Sequence, residues 1–277
     1  MPWKTKALRA MMLAAMTFAL ACGGDTGSVR GATTPPGEAT SASRGSPLAL
    51  ANAAGGAGGY AENASAATGS VSGIVQGDRS PPDTTVVPTH DLLACSKFTR
   101  PLYPSMGGGV GNAVVWLSSV ASGRANELPR RVTVTLQECE LQPRVELIAA
   151  GGTVIVSSRD KVMSRLRFAA ADTGVPQELR ATVALNDAGQ VVPLSDATKD
   201  AGLVTIRDDL HPWVRGYLAV APHPFVSVTS ADGKFTFHGV PAGSYTLVTW
   251  HEQFGVVSQP VTVRVGRDAH VEMTLRE

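Results

Sequence analysis

Asp208, Asp209 and His211 stand together in the stretch RDDLHPWVRG, two carboxylates and an imidazole on one short loop. Such oxygen and nitrogen donors either hold a hard metal ion or pair with nearby cations. The cations are at hand in the stretch KVMSRLR, which carries Arg165 and Arg167. Pointing inward, these guanidinium groups would repel a metal ion; paired with Asp208 or Asp209, they would replace it with an ion pair that is costly to break. The plainer alternative is that all of them are exposed loop charges. Further along, His223 (in APHPF) and His251 with Glu252 (in TWHEQFG) are candidates to join His211 in a His/carboxylate cluster. The alternative is that both are hydrogen-bonded structural histidines. His90, His238 and His270 show no ligand spacing. Neither a Gly-x-Ser-x-Gly elbow nor a His-Glu-x-x-His helix occurs. The Gly-rich PSMGGGVGN precedes a strand pattern, so it lacks the helix N-terminus that would bind phosphate and reads as a flexible connection. The chain is therefore expected not to be an enzyme.

The elements that must position these residues are strands. From Ser70 onward, β-branched runs such as SVSGIVQ, NAVVWLSSV, RVTVTLQ, TVIVSS, RGYLAVA, KFTFHGV and SYTLVTW alternate with turn residues, and no helical period competes. Asp232-Gly233 predicts a tight hairpin, and Pro241 with Gly243 a second turn. Trp116, Trp213 and Trp250 fall in strand or loop patterns and read as core rather than as a carbohydrate platform. The expected fold class is all-β of sandwich type. Formal net charge is +1, charged residues are 17% of the chain, and no basic run occurs, which excludes nucleic acid as a partner. Residues 23–68 are Gly, Ala, Ser, Thr and Pro with few large apolar groups, the composition of a disordered linker.

The first residues resemble a bacterial lipoprotein signal. Lys4, Lys6 and Arg9 precede an apolar run, Ala10 to Ala21, that is too short to span a bilayer and ends in ALAC. The resemblance makes residues 1–22 the signal and Cys22 the lipid-bearing residue, although Leu20 stands two rather than three residues before it. It implies a lipid-anchored protein of the cell envelope, periplasmic or at the outer membrane and surface; Gly23, rather than Asp, after the cysteine leans toward the outer membrane. Cys95 and Cys139 are then left to pair in an oxidising compartment. The competing role for Cys139, a reduced metal ligand, has no partner ligand nearby in sequence.

Two further resemblances organise the folded part. Residues 229–252, TSADGKFTFHGVPAGSYTLVTWHE, resemble the carboxypeptidase regulatory-like module, a transthyretin-type sandwich, through Asp232, Gly233, Phe235, Pro241, Gly243, Tyr245 and Leu247. The residues from 222 onward are too few for such a module, and SVSGIVQ and GNAVVWLSSV resemble its opening strands. The module is thus expected to be split between residues 69–125 and 222–277. The insert, residues 126–221, resembles cupredoxins through CELQPR, the Gly-Gly-Thr turn and HPWVRG. The expected architecture is two Greek-key β-sandwiches, a cupredoxin-like domain inserted in a transthyretin-like module.

Cupredoxins hold copper with a Cys-x-x-His-x-x-Met loop and an upstream histidine; thiolate and imidazole together hold both oxidation states. Here His211 matches the histidine, Asp208 the cysteine and Val214 the methionine, while Ser164 and Arg167 stand where upstream histidines are expected. The resemblance therefore implies a scaffold whose copper ligands are lost, with His211 the retained position and Asp208, His223 and His251 the remaining candidate metal ligands. No cofactor is expected; copper would require a non-standard site. The expected role is binding or structural, toward an envelope protein or a glycan, with the membrane reached through the lipid.

Overall fold

Apolar residues at every second position decide most of the strands. In Thr68–Gly77, Val71, Gly73 and Val75 face inward; in Lys234–Pro241, Phe235, Phe237 and Val240 do; in Asp268–Leu275, Val271, Met273 and Leu275 do. The structure is a computed structural model, and it describes residue 50, residues 59–171 and residues 178–276. Cys22, the expected lipid acceptor, lies outside the described residues.

Those three strands form one sheet, with Thr68–Gly77 in its centre, antiparallel to Lys234–Pro241 and parallel to Asp268–Leu275. Facing it is a sheet ordered Val226–Val228, Val114–Ser118, Gly243–His251, Gly255–Val263. Val71, Leu117, Phe225, Phe235, Leu247 and Met273 fill the space between. Each sheet thus takes an inner strand from well upstream, Thr68–Gly77 in one and Val114–Ser118 in the other. Gly73 allows the close approach of its neighbours: a Cβ there would run into the Val271 carbonyl and the Phe235 ring.

Two turns differ from the sequence expectation. Asp232-Gly233 closes no hairpin, because Val226–Val228 and Lys234–Pro241 lie in different sheets. Gly233 does adopt the left-handed conformation (φ +72°), but its carbonyl accepts from Val75 N (2.8 Å), so the turn is held by an upstream strand and carries the chain across the sandwich. PSMGGGVGN is not a loose connection. Gly77 N donates to Gly108 O (3.1 Å) and Gly111 N to Pro104 O (2.8 Å), and Gly109 sits so close to the Asp232 backbone that any Cβ would collide. The Pro241–Gly243 turn also passes between sheets, with Tyr245 Oη donating to Pro241 O at 2.9 Å and its ring over Gly243. The linker expected over residues 23–68 ends earlier than its composition indicates. Ala61–Glu62 pairs with Ser122–Gly123, and Tyr60 packs against Phe225 and His223, one aromatic supplying the burial that its small neighbours cannot.

The second sandwich lies between the two upstream and downstream parts of the first in sequence. Its sheets are Val191–Leu194, Thr153–Ser158, Arg131–Gln137, Glu140–Gln142 and Leu179–Leu185, Ser164–Ala170, Gly202–Asp208, Arg215–Ala221, Val145–Ala149, in those spatial orders. Leu136, Ile148, Val156, Leu166, Phe168, Ile206 and Leu218 form its core. The fold is all-β, two sandwiches, as expected.

The described residues belong to one compact unit, Ser41–Glu277. A third apolar cluster joins the sandwiches through Trp116, Tyr217, Val248 and Trp250, the Tyr217 and Trp250 rings meeting edge to face at 4.8 Å. Beside it Arg144 grips Glu252 with two bonds, Nε to Oε1 at 3.0 Å and Nη2 to Oε2 at 2.7 Å. Burial alone would push the Glu252 carboxyl up; the Arg144 bonds outweigh it and hold the group below the usual glutamate range.

The excursion between Thr68–Gly77 and Val114–Ser118 positions the site. It forms the ribbon Asp83–Val86 with Phe98–Pro101 and reaches the second sandwich. Arg100 Nε meets Glu140 Oε1 at 2.8 Å, and Cys95 is disulfide-bonded to Cys139. Both cysteines are buried. Closing a separation of 44 residues stabilises by about 4 kcal/mol in the chain-entropy account. Cys139 sits in the two-residue turn after Arg131–Gln137, where Glu138 and Cys139 both have positive φ (54° and 59°). The Asp160 carboxylate fixes that turn by accepting both amides, at 2.7 and 2.8 Å.

Candidate functional site

His211 lies on the loop between Gly202–Asp208 and Arg215–Ala221 and is 1% exposed. The register of Gly202–Asp208 places Asp208 opposite Leu166, on the inner face, so its carboxylate is buried too. A buried carboxylate requires donors, and Asp208 has three. Its Oδ1 accepts the amides of Arg165 (3.0 Å) and Leu210 (2.9 Å), and its Oδ2 faces His211 Nδ1 at 2.7 Å. The two positions matched by sequence to cupredoxin ligands are therefore in contact, joined by a hydrogen bond.

The other nitrogen of His211 is also engaged, by a residue the sequence did not single out. Asp91 Oδ2 stands 3.0 Å from His211 Nε2. The ring of the adjacent His90 stacks on His211 with centroids 5.1 Å apart, and Trp213 packs against both rings at 5.2 and 5.3 Å. His90 Nε2 contacts Leu210 O, and its Nδ1 bonds Thr89 Oγ1 at 3.0 Å. Local backbone geometry aims Asp91. It has a φ of 51°, its carbonyl accepts the amides of Ala94 (2.9 Å) and Cys95 (2.8 Å), and Cys95 is then tied to Cys139. Asp and Asn tolerate this left-handed region better than most residues.

The arginines do not enter the site. Arg165 and Arg167 alternate outward from the buried Ser164 and Leu166, and both pair with Asp209, at 2.9 and 3.7 Å. These pairs are exposed and contribute about 0–1 kcal/mol each. Asp208 takes the Arg165 amide rather than its guanidinium. Val214, at the methionine position, is part of the sandwich core. Ser164, at an upstream histidine position, is buried with no partner for its Oγ.

The structure does not gather His223 and His251 with His211 and Glu252; of the two readings the sequence left open, it is the hydrogen-bonded structural histidine that their partners fit. His223 is wired to backbone, Nε2 to Leu117 O (3.0 Å) and Nδ1 from Phe225 N (3.1 Å), the pattern of a ring protonated on Nε2 alone. His251 accepts Gln253 N at 3.2 Å and is enclosed by Tyr103 and Phe254. Burial lowers its pKa to about 4. Glu252 serves the Arg144 pair. Among the described residues, the His, Cys, Asp and Glu side chains whose ligand atoms come together are His90, Asp91 and His211, all within 4.8 Å of one another. His90 and Asp91 lie 120 residues from their partners Leu210 and His211, so no spacing in the sequence signals them.

The fit to copper of the cupredoxin kind fails on donor chemistry. Cys95 and Cys139, the cysteines among the described residues, are bonded to each other, so no thiolate faces His211. Among the described residues the site therefore lacks the thiolate of a cupredoxin centre.

Residues 220–276 match the carboxypeptidase regulatory-like domain family. No curated protein matches the chain. Solved structures similar to it include cupredoxins. A mutant of amicyanin in its reduced Cu(I) form at pH 4 shares 19% identity over 32% of this chain and 81% of its own, with a TM-score of 0.27. A purple cupredoxin from Nitrosopumilus maritimus shares 15% over 32% of this chain and 99% of its own, with a TM-score of 0.27. The copper-containing nitrite reductase of Thermus scotoductus SA-01 shares 17% over 44% of this chain and 27% of its own, with a TM-score of 0.26.

Proposed function

We propose that this chain is a non-enzymatic, lipid-anchored protein of the bacterial cell envelope, in which a cupredoxin-like sandwich without its copper ligands serves as a binding or structural scaffold. The observation that carries this reading is the wiring of His211: each ring nitrogen faces a carboxylate, Asp208 on one side and Asp91 on the other. Where a cupredoxin would place thiolate and imidazoles around a metal, this chain places a hydrogen-bonded charge network closed by a loop from outside the sandwich. The Cys95–Cys139 bridge supports an oxidising compartment, and no helix among the described residues is long and apolar enough to cross a membrane. The lipid would be carried by Cys22, and the partner would be an envelope protein or a glycan rather than nucleic acid. In this reading the regulatory-like module is split, residues 69–125 and 222–277, around the insert 126–221. The pairing of Thr68–Gly77 and Val114–Ser118 with strands beyond residue 225 supports it.

The test is copper titration followed by absorption and voltammetry. The unaltered chain is expected to give neither an intense sulfur-to-copper charge-transfer band nor a reversible wave. The double variant Asp208→Cys with Ser164→His, which supplies thiolate and imidazole at the matched positions, is expected to gain the band. A coloured, redox-active centre in the unaltered chain would overturn the proposal.

A further inference from the structure

The same wiring that fails for redox copper resembles the outer half of a different centre. Metal-binding histidines characteristically donate their second ring nitrogen to a carboxylate, which fixes the tautomer and aims the free lone pair at the ion. Asp208 is placed to do this. It is buried, its Oδ1 is saturated by two backbone amides, and its Oδ2 is 2.7 Å from His211 Nδ1. With the proton held on Nδ1, the Nε2 lone pair of His211 points to the side where Asp91 and His90 stand. Both of those are exposed, and a groove of about 470 Å³ opens beside them, lined by Asp91, Leu92, Leu93, Ala94, Lys161 and Val162. The buried side of the centre is thus rigid and the open side reachable from solvent.

We infer that His90, Asp91 and His211 form a binding site for a borderline divalent transition-metal ion such as zinc, with Asp208 as the residue that positions His211. Two imidazoles and one carboxylate suit such an ion and leave a fourth position for water. One pair is already at ligand spacing: two ligand atoms on a tetrahedral zinc stand ~3.3 Å apart, from bonds of ~2.0–2.1 Å, and His211 Nε2 and Asp91 Oδ2 are 3.0 Å apart, while His90 brings a ring nitrogen within 4.8 Å of both and closes in on binding. Binding is an exchange. The ion takes the place between Nε2 and Asp91, any proton shared there passing to water, while the Nδ1–H bond to Asp208 persists. His90 gives up one of its contacts, to Leu210 O or Thr89 Oγ1. The loop bearing Asp91 is already set by its positive φ, the Cys95 amide bond and the disulfide, so little ordering remains to oppose binding. Arg165 and Arg167 point outward and are paired with Asp209, so they do not face the ion.

This site deepens the scaffold reading by naming what the scaffold binds, and it rests on that reading only for the absence of redox copper. The experiment is calorimetric titration of the full chain with zinc chloride, with cobalt(II) absorption as an independent readout of tetrahedral coordination. The expected result is one ion per chain at micromolar Kd. His90→Ala and Asp91→Asn should each weaken it at least about tenfold, since even outer-shell partners are worth that much. His238→Ala and His270→Ala, exposed on the other sandwich, should leave it unchanged. His90 is exposed, so His90→Ala reports on binding even if a change at buried His211 impairs folding. Undetectable binding at millimolar zinc, or affinity indifferent to His90→Ala and Asp91→Asn, would overturn the inference. Either outcome leaves the copper experiment above to decide the scaffold reading separately.

Discussion

His211 in the second sandwich and His251 in the first are equally hidden, 1% and 0% exposed, yet they are wired in opposite ways. His251 has a backbone amide on Nδ1 and aromatic rings around it, an environment that keeps the ring neutral. His211 has a carboxylate at each nitrogen. The difference teaches that burial alone does not separate a structural histidine from a site histidine; the partners do. Backbone partners fix a side chain to the fold, whereas a second charged side chain, one of them on a reachable loop, creates something a ligand can displace.

The sharpest way to break this comparison is at Asp208. Asp208→Ala strands two amides and a buried imidazole, and chemical denaturation should show a loss of about 4 kcal/mol, within the range for breaking a buried charged network. A loss under about 1 kcal/mol would mean that the network is not closed as described.

His251 tests the other side. Its pKa is lowered to about 4 by burial, from 6.5, so the unfolded state takes up a proton before the folded state does. Stability from this group is complete above about pH 6.5 and is lost as the pH falls toward 4, by about 3 kcal/mol at most. Denaturation midpoints measured across that window should fall on acidification. His251→Asn, which keeps an acceptor for the Gln253 amide, should flatten the slope. Any acid limb remaining below it belongs partly to Glu252, held below the usual glutamate range by Arg144.

Asp91→Asn carries the smallest expected effect. Its side chain is 47% exposed, and such a partner contributes about 1 kcal/mol or less. Equilibrium unfolding should therefore barely register the change that the zinc titration above is expected to register strongly, and a stability loss as large as that of Asp208→Ala would erase the distinction between the buried and open sides of the site.

Much of this molecule was legible in the chain. Alternation of apolar and polar residues marks Thr68–Gly77, Thr153–Ser158 and Lys234–Pro241 as strands, and two cysteines beyond the signal point to the disulfide, whereas Ser164–Ala170, whose charges read as a loop, is a strand. The turn at Asp232-Gly233 shows where local reading stops. The Gly233 conformation was legible, but its destination was not, because a carbonyl bonded to Val75 sends the chain to the other sheet.

The sequence by itself determined the strand content, because alternation depends on neighbours within a few residues, and the carboxylate at position 208 where the cupredoxin resemblance would have a cysteine; that this carboxylate bonds His211 is a finding of the structure. Only the tertiary structure decided that Asp91 and His90 close over His211, and that His223 and His251 go elsewhere. Those outcomes depend on a loop that enters from the other sandwich and is pinned by Cys95–Cys139. Contacts across such separations come from the packing of whole sheets, which leaves no periodic trace along the chain.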